Sequence, residues 1–207
     1  MKLHIFNPEH DISLAQNNPN QIPSRAALQI RNDLDFIPYI WADQGDVVLV
    51  NDVMKAYEAV EKLRLKDKNV SFIDADILEK YSDEIDAILP WGWDCAIKEH
   101  LKRLGISQTL LPSSKQLSEI RNLNNRKASI NWLLFLKAHL PYATTVGEAY
   151  YYNNINDLCA KAKEIGKAVI KAPWSGSGRG VRFTDRNISL AFRSEEHTSE
   201  LQSLREI

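Results

Sequence analysis

Short apolar runs alternate with helical patterns through the first half of the chain, and this alternation constrains the fold most. The runs are typical of buried strands and lie at 3–6, 47–50, 70–73 and 87–89. Helices are predicted within 24–41, over 53–65 and over 94–104, with Asp94 as the N-cap of the last. Strands that alternate with helices pair in parallel, so we predict an α/β fold with a Rossmann-like parallel sheet over 1–112. Residues 110–111 are a candidate start of a fifth strand.

A second region begins near 112–114 and extends to about 192. Ser113 or Ser114 can cap a helix that ends near 123, and a second helix is predicted from 126 to 139. Further elements are predicted as a strand at 148–151, a helix at 156–165 and strands at 168–171 and 181–184. Both strands and helices are therefore expected in this smaller region.

The two strands at 168–171 and 181–184 flank a glycine-rich turn. The alternating glycines 176, 178 and 180 let the backbone approach a ligand closely, and successive N–H groups in such a turn can bind an anion. Lys171 precedes the turn and supplies a positive charge for phosphate. A P-loop and a dinucleotide fingerprint are excluded, because each of these motifs is followed directly by a helix, whereas the glycine-rich turn is followed by a predicted strand. The turn predicts a nucleotide-phosphate site, and the alternative is a hairpin without a ligand.

Residues 169–182 read VIKAPWSGSGRGVR, which resembles the lysine-first flap of the ATP-grasp superfamily in its biotin-carboxylase-like form. The resemblance covers roughly 113–190 and implies a partial α+β ATP-grasp clamp subdomain after the Rossmann-like domain. Residues 125–127 occupy the place of the family's Asp-Lys pair without its acidic member, and 140–145 match its proline-then-threonine connection. The implied ATP-binding residues are Lys127, Lys171, Ser175, Gly176, Ser177, Gly178, Arg179 and Gly180. The alternatives are a solvated helix lysine for Lys127 and an edge-strand lysine for Lys171.

The resemblance also implies a reaction. A carboxylate of a small-molecule substrate attacks the γ-phosphate of ATP to give an acylphosphate, and an amine then displaces phosphate. Mg²⁺, its acidic ligands and the catalytic residues are expected in a later subdomain, so we expect this chain to be an ATP-binding fragment without ligase activity. The alternatives are a non-catalytic nucleotide- or sugar-binding module and a kinase-like phosphotransferase.

Polar and aromatic residues follow two of the predicted strands in the first half. Asn7, Glu9, His10 and Asp11 follow the first strand, and Trp91 and Trp93 follow the fourth. Ligands of open α/β sheets bind at the carboxyl ends of strands, so these residues form a candidate substrate site. The alternatives are a helix N-cap role for Asp11, solvation of Glu9 and His10, and core packing of the two tryptophans.

Residues 193–207 resemble the in-frame translation of a sequencing-library adapter. We therefore expect the natural sequence to be cut near Phe192, and we exclude this tail from the fold prediction. The alternative is an ordinary solvated tail or an exposed helix.

The net charge and the cysteine content limit the classes of function that the chain can have. The net charge of −1 gives no support for a nucleic-acid or membrane-surface partner, and no signal peptide is predicted. Cys95 and Cys159 lie far apart in the sequence and are predicted to be small core residues rather than zinc ligands. A cytoplasmic protein is expected.

Overall fold

The computed structural model describes residues 1–65, 68–140, 147–174, 180–184 and 203–206. The chain divides into two compact units, Met1–Ile120 and Arg121–Ile207. Within the described residues, no helix combines the length and apolar character needed to cross a membrane.

The first unit is built on a parallel sheet. Its strands are β1 (Lys2–Ile5), β2 (Val47–Leu49), β3 (Ser71–Ile73) and β4 (Ala87–Pro90). Its helices are α1 (His10–Gln16), α2 (Arg25–Leu34), α3 (Val53–Lys62), α4 (Ala75–Tyr81) and α5 (Cys95–Arg103). The strand order is β3-β2-β1-β4, with every pair parallel. The predicted Rossmann-like α/β fold is confirmed.

Apolar residues of the strands bury both faces of this sheet. Leu3 and Val47 belong to one core cluster, whereas Val48 and Phe72 belong to another. Successive strand residues point to opposite faces, so the neighbours Val47 and Val48 serve different cores. Burial on both faces explains why these strands read as continuous apolar runs rather than as alternating patterns.

Capping side chains fix where most of the helices of the first unit begin. Ser24, Asp52 and Asp74 accept hydrogen bonds from backbone N–H groups in the first turns of α2, α3 and α4. Asp94 accepts from two N–H groups of α5, which confirms its predicted role. α1 differs, because its N-cap is Glu9 without a side-chain capping bond, and Asp11 lies in its first turn. The N-cap alternative for Asp11 is therefore wrong.

The predicted start of a fifth strand at 110–111 is also wrong. Leu110 ends a 3₁₀ helix, Gln108–Leu110, which Ser107 caps by accepting a hydrogen bond from the N–H of Thr109. The local hydroxyl bond favours a tight turn over an extended strand. Two more 3₁₀ helices span Ile37–Ile40 and Ser82–Glu84.

The second half of the chain contains α6 (Ser114–Asn124), α7 (Arg126–His139), β5 (Ala149–Tyr150), α8 (Ile155–Ile165), β6 (Ala168–Lys171), β7 (Val181–Thr184) and β8 (Ser203–Glu206). The four strands form an antiparallel sheet in the order β5-β8-β6-β7. Leu158 and Ala162 of α8 pack with Ala168 and Ile170 of β6 in a small core.

β8 lies within residues 193–207, which were left out of the fold prediction. Its backbone pairs with both β5 and β6, so residues 203–206 are part of the sheet. The adapter origin of 193–207 stays a prediction.

Candidate functional site

The order of the first sheet creates a crevice at its carboxyl edge. β1 lies between β2 and β4. The strands that follow β1 in the sequence are added first on one side of it, as β2 and β3, and then on its other side, as β4. The strand order therefore reverses direction at β1. Ligands of open α/β sheets bind outside the strand ends at such a switch point. The segments that follow β1 and β4 meet here, and they carry most of the predicted substrate residues.

Asn7 ties the segment after β1 to the segment after β4. Its side-chain Nδ2 donates to the Gly92 carbonyl at 2.8 Å, and its Oδ1 accepts from the Gly92 N–H at 3.2 Å. Nδ2 also lies 3.3 Å from Asp94 Oδ2. Asn7 is buried with 1% exposure, so its amide holds the two segments together rather than facing a ligand.

His10 is oriented by the same carboxylate. Its Nδ1 lies 3.1 Å from Asp94 Oδ2, while Asp94 Oδ1 accepts from the N–H groups of Ala96 and Ile97 at 2.8 and 2.9 Å. The imidazole packs on Gly92 so closely that a Cβ at that position would collide with the ring. His10 is therefore buried in contact with Asp94 and Gly92. These contacts support a role for His10 in positioning the segment that follows β4.

Glu9 forms a different contact, with a residue that the sequence did not point to. Arg31 of α2 pairs with both carboxylate oxygens of Glu9, through Nη2 to Oε1 and through Nε to Oε2 at 3.3 Å. Glu9 is buried, and the Arg31 side chain is 27% exposed. Burial lowers the pKa of Arg31, against the opposing charge of Asp94. The pair places a guanidinium beside the switch point.

An open cleft of about 270 Å³ lies beside this pair. Its polar lining includes Glu9, Gln21, Arg31, His100 and Arg103. Partial burial, followed by the charges of Arg31 and Arg103, lowers the pKa of His100. We call this feature the Arg31 cleft. It combines two guanidinium groups with a histidine that tends to stay neutral.

A smaller cavity of about 50 Å³ shares Arg31 and His100 with the Arg31 cleft and reaches the ends of β1 and β2. Asp35 lines it and accepts a hydrogen bond from the Asn51 N–H at 2.8 Å. Burial raises the pKa of Asp35, although that hydrogen bond opposes the shift. A buried carboxyl with a raised pKa is typical of functional clefts, and Asp35 was missed because nothing in the sequence around it marks a site.

The other predicted substrate residues occupy different surroundings. Asp11 lies exposed on α1. Trp91 is 60% exposed and packs edge-on against Phe6 at 5.7 Å between ring centroids, with Trp41 at 6.0 Å. Trp93 is partly buried against the core that contains Leu3, as its packing alternative expects. The contacts of these three residues thus differ from those of the buried Asn7 and His10.

The predicted nucleotide hairpin is present in the second unit. Lys171 is the last residue of β6 and pairs in register with Val181 of β7, and the Ala172 N–H donates to the Gly180 carbonyl at 2.8 Å. Gly180 has a φ of 65°, a left-handed conformation that favours glycine. Ser175, Gly176, Ser177, Gly178 and Arg179 lie outside the described residues, as do residues 141–145 of the predicted proline-threonine connection.

The start of α7 is joined to the segment that follows Lys171. The Arg126 N–H donates to the Pro173 carbonyl at 3.0 Å, and Arg126 Nε donates to the Ala172 carbonyl at 2.8 Å. Asn125 caps the helix by accepting from the Lys127 N–H at 2.8 Å. The Lys127 ammonium lies 5.0 Å from the centre of the Tyr151 ring. Two regions predicted to bind ATP therefore meet at the base of one hairpin.

Two further points concern possible metal ligands and the similarity of the chain to known proteins. Within the described part of the chain, no three or more His, Cys, Asp or Glu side chains form a group that could hold a metal ion. Cys95 and Cys159 occupy partly buried positions. Compared with the known protein families and with curated proteins, the chain matches none.

Proposed function

We propose that this chain is the ATP-binding part of an ATP-dependent carboxylate-amine ligase of the ATP-grasp kind. The observation that carries the proposal is the hairpin of β6 and β7, which opens directly after Lys171 and closes at the left-handed Gly180. A glycine-rich hairpin with a lysine at its entrance is a sequence arrangement suited to phosphate, because turn N–H groups and an ammonium group can both bind an anion.

The contacts of α7 support the same proposal. Arg126 bonds to the carbonyl groups of Ala172 and Pro173, so the helix that carries Lys127 begins at the base of the hairpin. Two lysines from separate elements can then neutralise the charge of a triphosphate from two directions. Phosphoryl transfer depends on such positioning and charge neutralisation more than on covalent chemistry by the protein.

The proposed reaction has two steps. A substrate carboxylate oxygen forms a bond to the γ-phosphorus of ATP while the bond from that phosphorus to the bridging oxygen breaks and ADP leaves. An amine nitrogen then attacks the acyl carbon, inorganic phosphate departs, and the nitrogen loses a proton. When bound, Mg²⁺ would neutralise phosphate charge. In both steps Lys171 and Lys127 hold the phosphates.

A calorimetric titration of the full chain with ATP and Mg²⁺ tests the nucleotide site. We expect Lys171→Gln to weaken binding about tenfold or more, the loss typical of a charge-assisted hydrogen bond. Lys163→Gln is the matched control, because Lys163 lies exposed on α8, outside the hairpin. Equal affinities in both variants, or no binding by the parent chain, would overturn the proposal.

A further inference from the structure

We infer that the Arg31 cleft is a binding site for a small carboxylic acid that carries additional hydrogen-bonding groups. Arg31 and Arg103 would bind its carboxylate, and Gln21 would bind its other polar groups. These three residues belong to no site predicted from the sequence. The inference that such an acid binds depends on the cleft alone and does not rest on the proposed function.

The charge of the lining favours an anion. Among the described residues that line the Arg31 cleft, Arg31 and Arg103 are cationic and Glu9 alone is acidic. Glu9 pairs with Arg31, and Glu99, outside the lining, pairs with Arg103 at 3.6 Å from its Nε. The lining itself thus has one more cationic side chain than acidic ones.

The donor geometry of the cleft suits a carboxylate. Arg103 Nη2 donates to Asn20 Oδ1 at 2.5 Å, which fixes the direction of its guanidinium. A guanidinium has five N–H donors, so Arg103 retains donors for a ligand, and its planar shape matches a carboxylate. The partial burial of Arg31 strengthens any hydrogen bond that it makes to a charged ligand.

Gln21 provides the second, independent observation. Its Nε2 and Oε1 are both buried and have no hydrogen-bond partner within the described residues. Buried amide atoms are satisfied in most proteins, and an unsatisfied pair inside a cleft points to a polar group that occupies it. A ligand hydroxyl or amide could donate to Oε1 and accept from Nε2. The acid is therefore expected to carry such a group.

The size of the cleft limits the ligand. A volume of about 270 Å³ lies just below the usual range for ligand pockets, which begins at about 300 Å³. A nucleoside triphosphate needs a larger site, so ATP is a poor occupant. The position beside the sheet switch point is one where open α/β sheets bind small molecules.

Malate is a suitable probe because it has two carboxylates and a hydroxyl group. Its uncharged diamide, malamide, is the matched ligand control, and inorganic phosphate tests for a general anion site. We expect the full chain to bind malate in a calorimetric titration and to bind malamide and phosphate at least about tenfold more weakly, the difference typical of one charge-assisted hydrogen bond.

Two variants locate the binding site. Arg103→Gln should weaken malate binding about tenfold, whereas Lys102→Gln, an exposed neighbour on α5 outside the lining, should leave it unchanged. The double variant Glu9→Gln/Arg31→Gln removes both charges of the buried pair together and should also lose malate binding. Circular dichroism of the double variant checks that it keeps the parent's helix content.

The outcomes separate this inference from the proposed function. Absence of malate binding, equal binding of malamide or phosphate, or equal effects of Arg103→Gln and Lys102→Gln would overturn the assignment of the Arg31 cleft. A titration of Arg103→Gln with ATP and Mg²⁺ should match the parent chain. If ATP binds but malate does not, only the cleft assignment fails. If malate binds but ATP does not, only the proposed nucleotide function fails.

Discussion

The side-chain amide of Asn7 pairs with the backbone of Gly92 in both directions, at 2.8 Å to its carbonyl and 3.2 Å from its N–H. The strand register ends with Ile5 opposite Pro90, and the Trp91 N–H still donates to the Ile5 carbonyl at 2.8 Å. The amide thus continues the β1–β4 pairing beyond the last strand residue. It fixes the two segments that bound the switch point, and Asn7 itself lines the smaller cavity of about 50 Å³.

Asn7→Asp should destabilise the first unit. The carboxylate keeps an acceptor for the Gly92 N–H but loses the donor to the Gly92 carbonyl, and it adds a negative charge 3.3 Å from Asp94. We expect a loss of about 1–3 kcal/mol in the free energy of unfolding, measured by urea denaturation. Asn69→Asp, at an exposed position, should change stability by less than about 0.5 kcal/mol. Equal effects at the two positions would contradict the role given to Asn7.

Gly92→Ala should also destabilise the protein, because its new Cβ would collide with the imidazole of His10. Overpacking of this kind costs about 1–3 kcal/mol. Adding His10→Ala removes the ring, so the double variant should be less destabilised than the sum of the two single variants. Thermal or urea unfolding of the parent chain, the two single variants and the double variant forms a double-mutant cycle that measures this coupling. Strict additivity would show that the two residues do not pack as described.

Arg31→Gln should cost more stability than the loss of an exposed ion pair. Its partner Glu9 is 6% exposed, so the variant leaves a buried carboxylate without its guanidinium. We expect a loss of about 3 kcal/mol, and partial recovery in Glu9→Gln/Arg31→Gln because that variant buries no unpaired charge. Lys62→Gln breaks the exposed pair with Glu58 and should cost less than about 1 kcal/mol. Similar losses for Arg31→Gln and Lys62→Gln in urea unfolding would refute the assigned burial.

Asp46 should make the first unit sensitive to acid. Burial acts to raise the pKa of Asp46, but hydrogen bonds from His4 Nε2 at 3.0 Å and from the Lys2 N–H at 3.0 Å outweigh it and lower that pKa. A lowered pKa in the folded state contributes stability above the ordinary value of 3.8, and this contribution disappears as the pH falls through the folded-state pKa.

The comparison is the free energy of unfolding in urea, measured from neutral pH to about pH 3, a range that crosses the ordinary carboxyl pKa. Asp46→Asn should show a smaller fall in stability with decreasing pH than the parent chain does. Asp83→Asn, at an exposed position, should follow the parent profile. Parallel profiles for all three proteins would exclude the predicted linkage.

The strands and the Asp94 cap were predictable because both depend on local signals. Apolar runs buried on two faces and an acidic residue ahead of an amphipathic period are visible in the sequence. α1 and α4 were not predicted. Each has seven residues, which is too few to show a helical period, and the α1 N-cap makes no side-chain bond. The positions of these short helices depend on tertiary contacts that form only in the folded protein.

The residues of the candidate site were likewise only partly predictable from local signals. The segment with Asn7 and Glu9 was found because it follows a strand, and position at the strand end is encoded locally. Arg31 and His100 lie within helices, where a charged residue has the same pattern as any solvated residue. Their meeting depends on how α2 and α5 pack at the sheet edge, and no spacing in the sequence reports that contact.

Lysine protection tests the central claim of a nucleotide site most directly. The full chain is acetylated in limiting reagent with and without ATP and Mg²⁺, and the modification of each lysine is measured by mass spectrometry. We predict that the nucleotide slows acetylation of Lys171 and Lys127 while Lys163 reacts at the same rate. Unchanged rates at Lys171 and Lys127, or equal slowing at all three lysines, would contradict the proposed site.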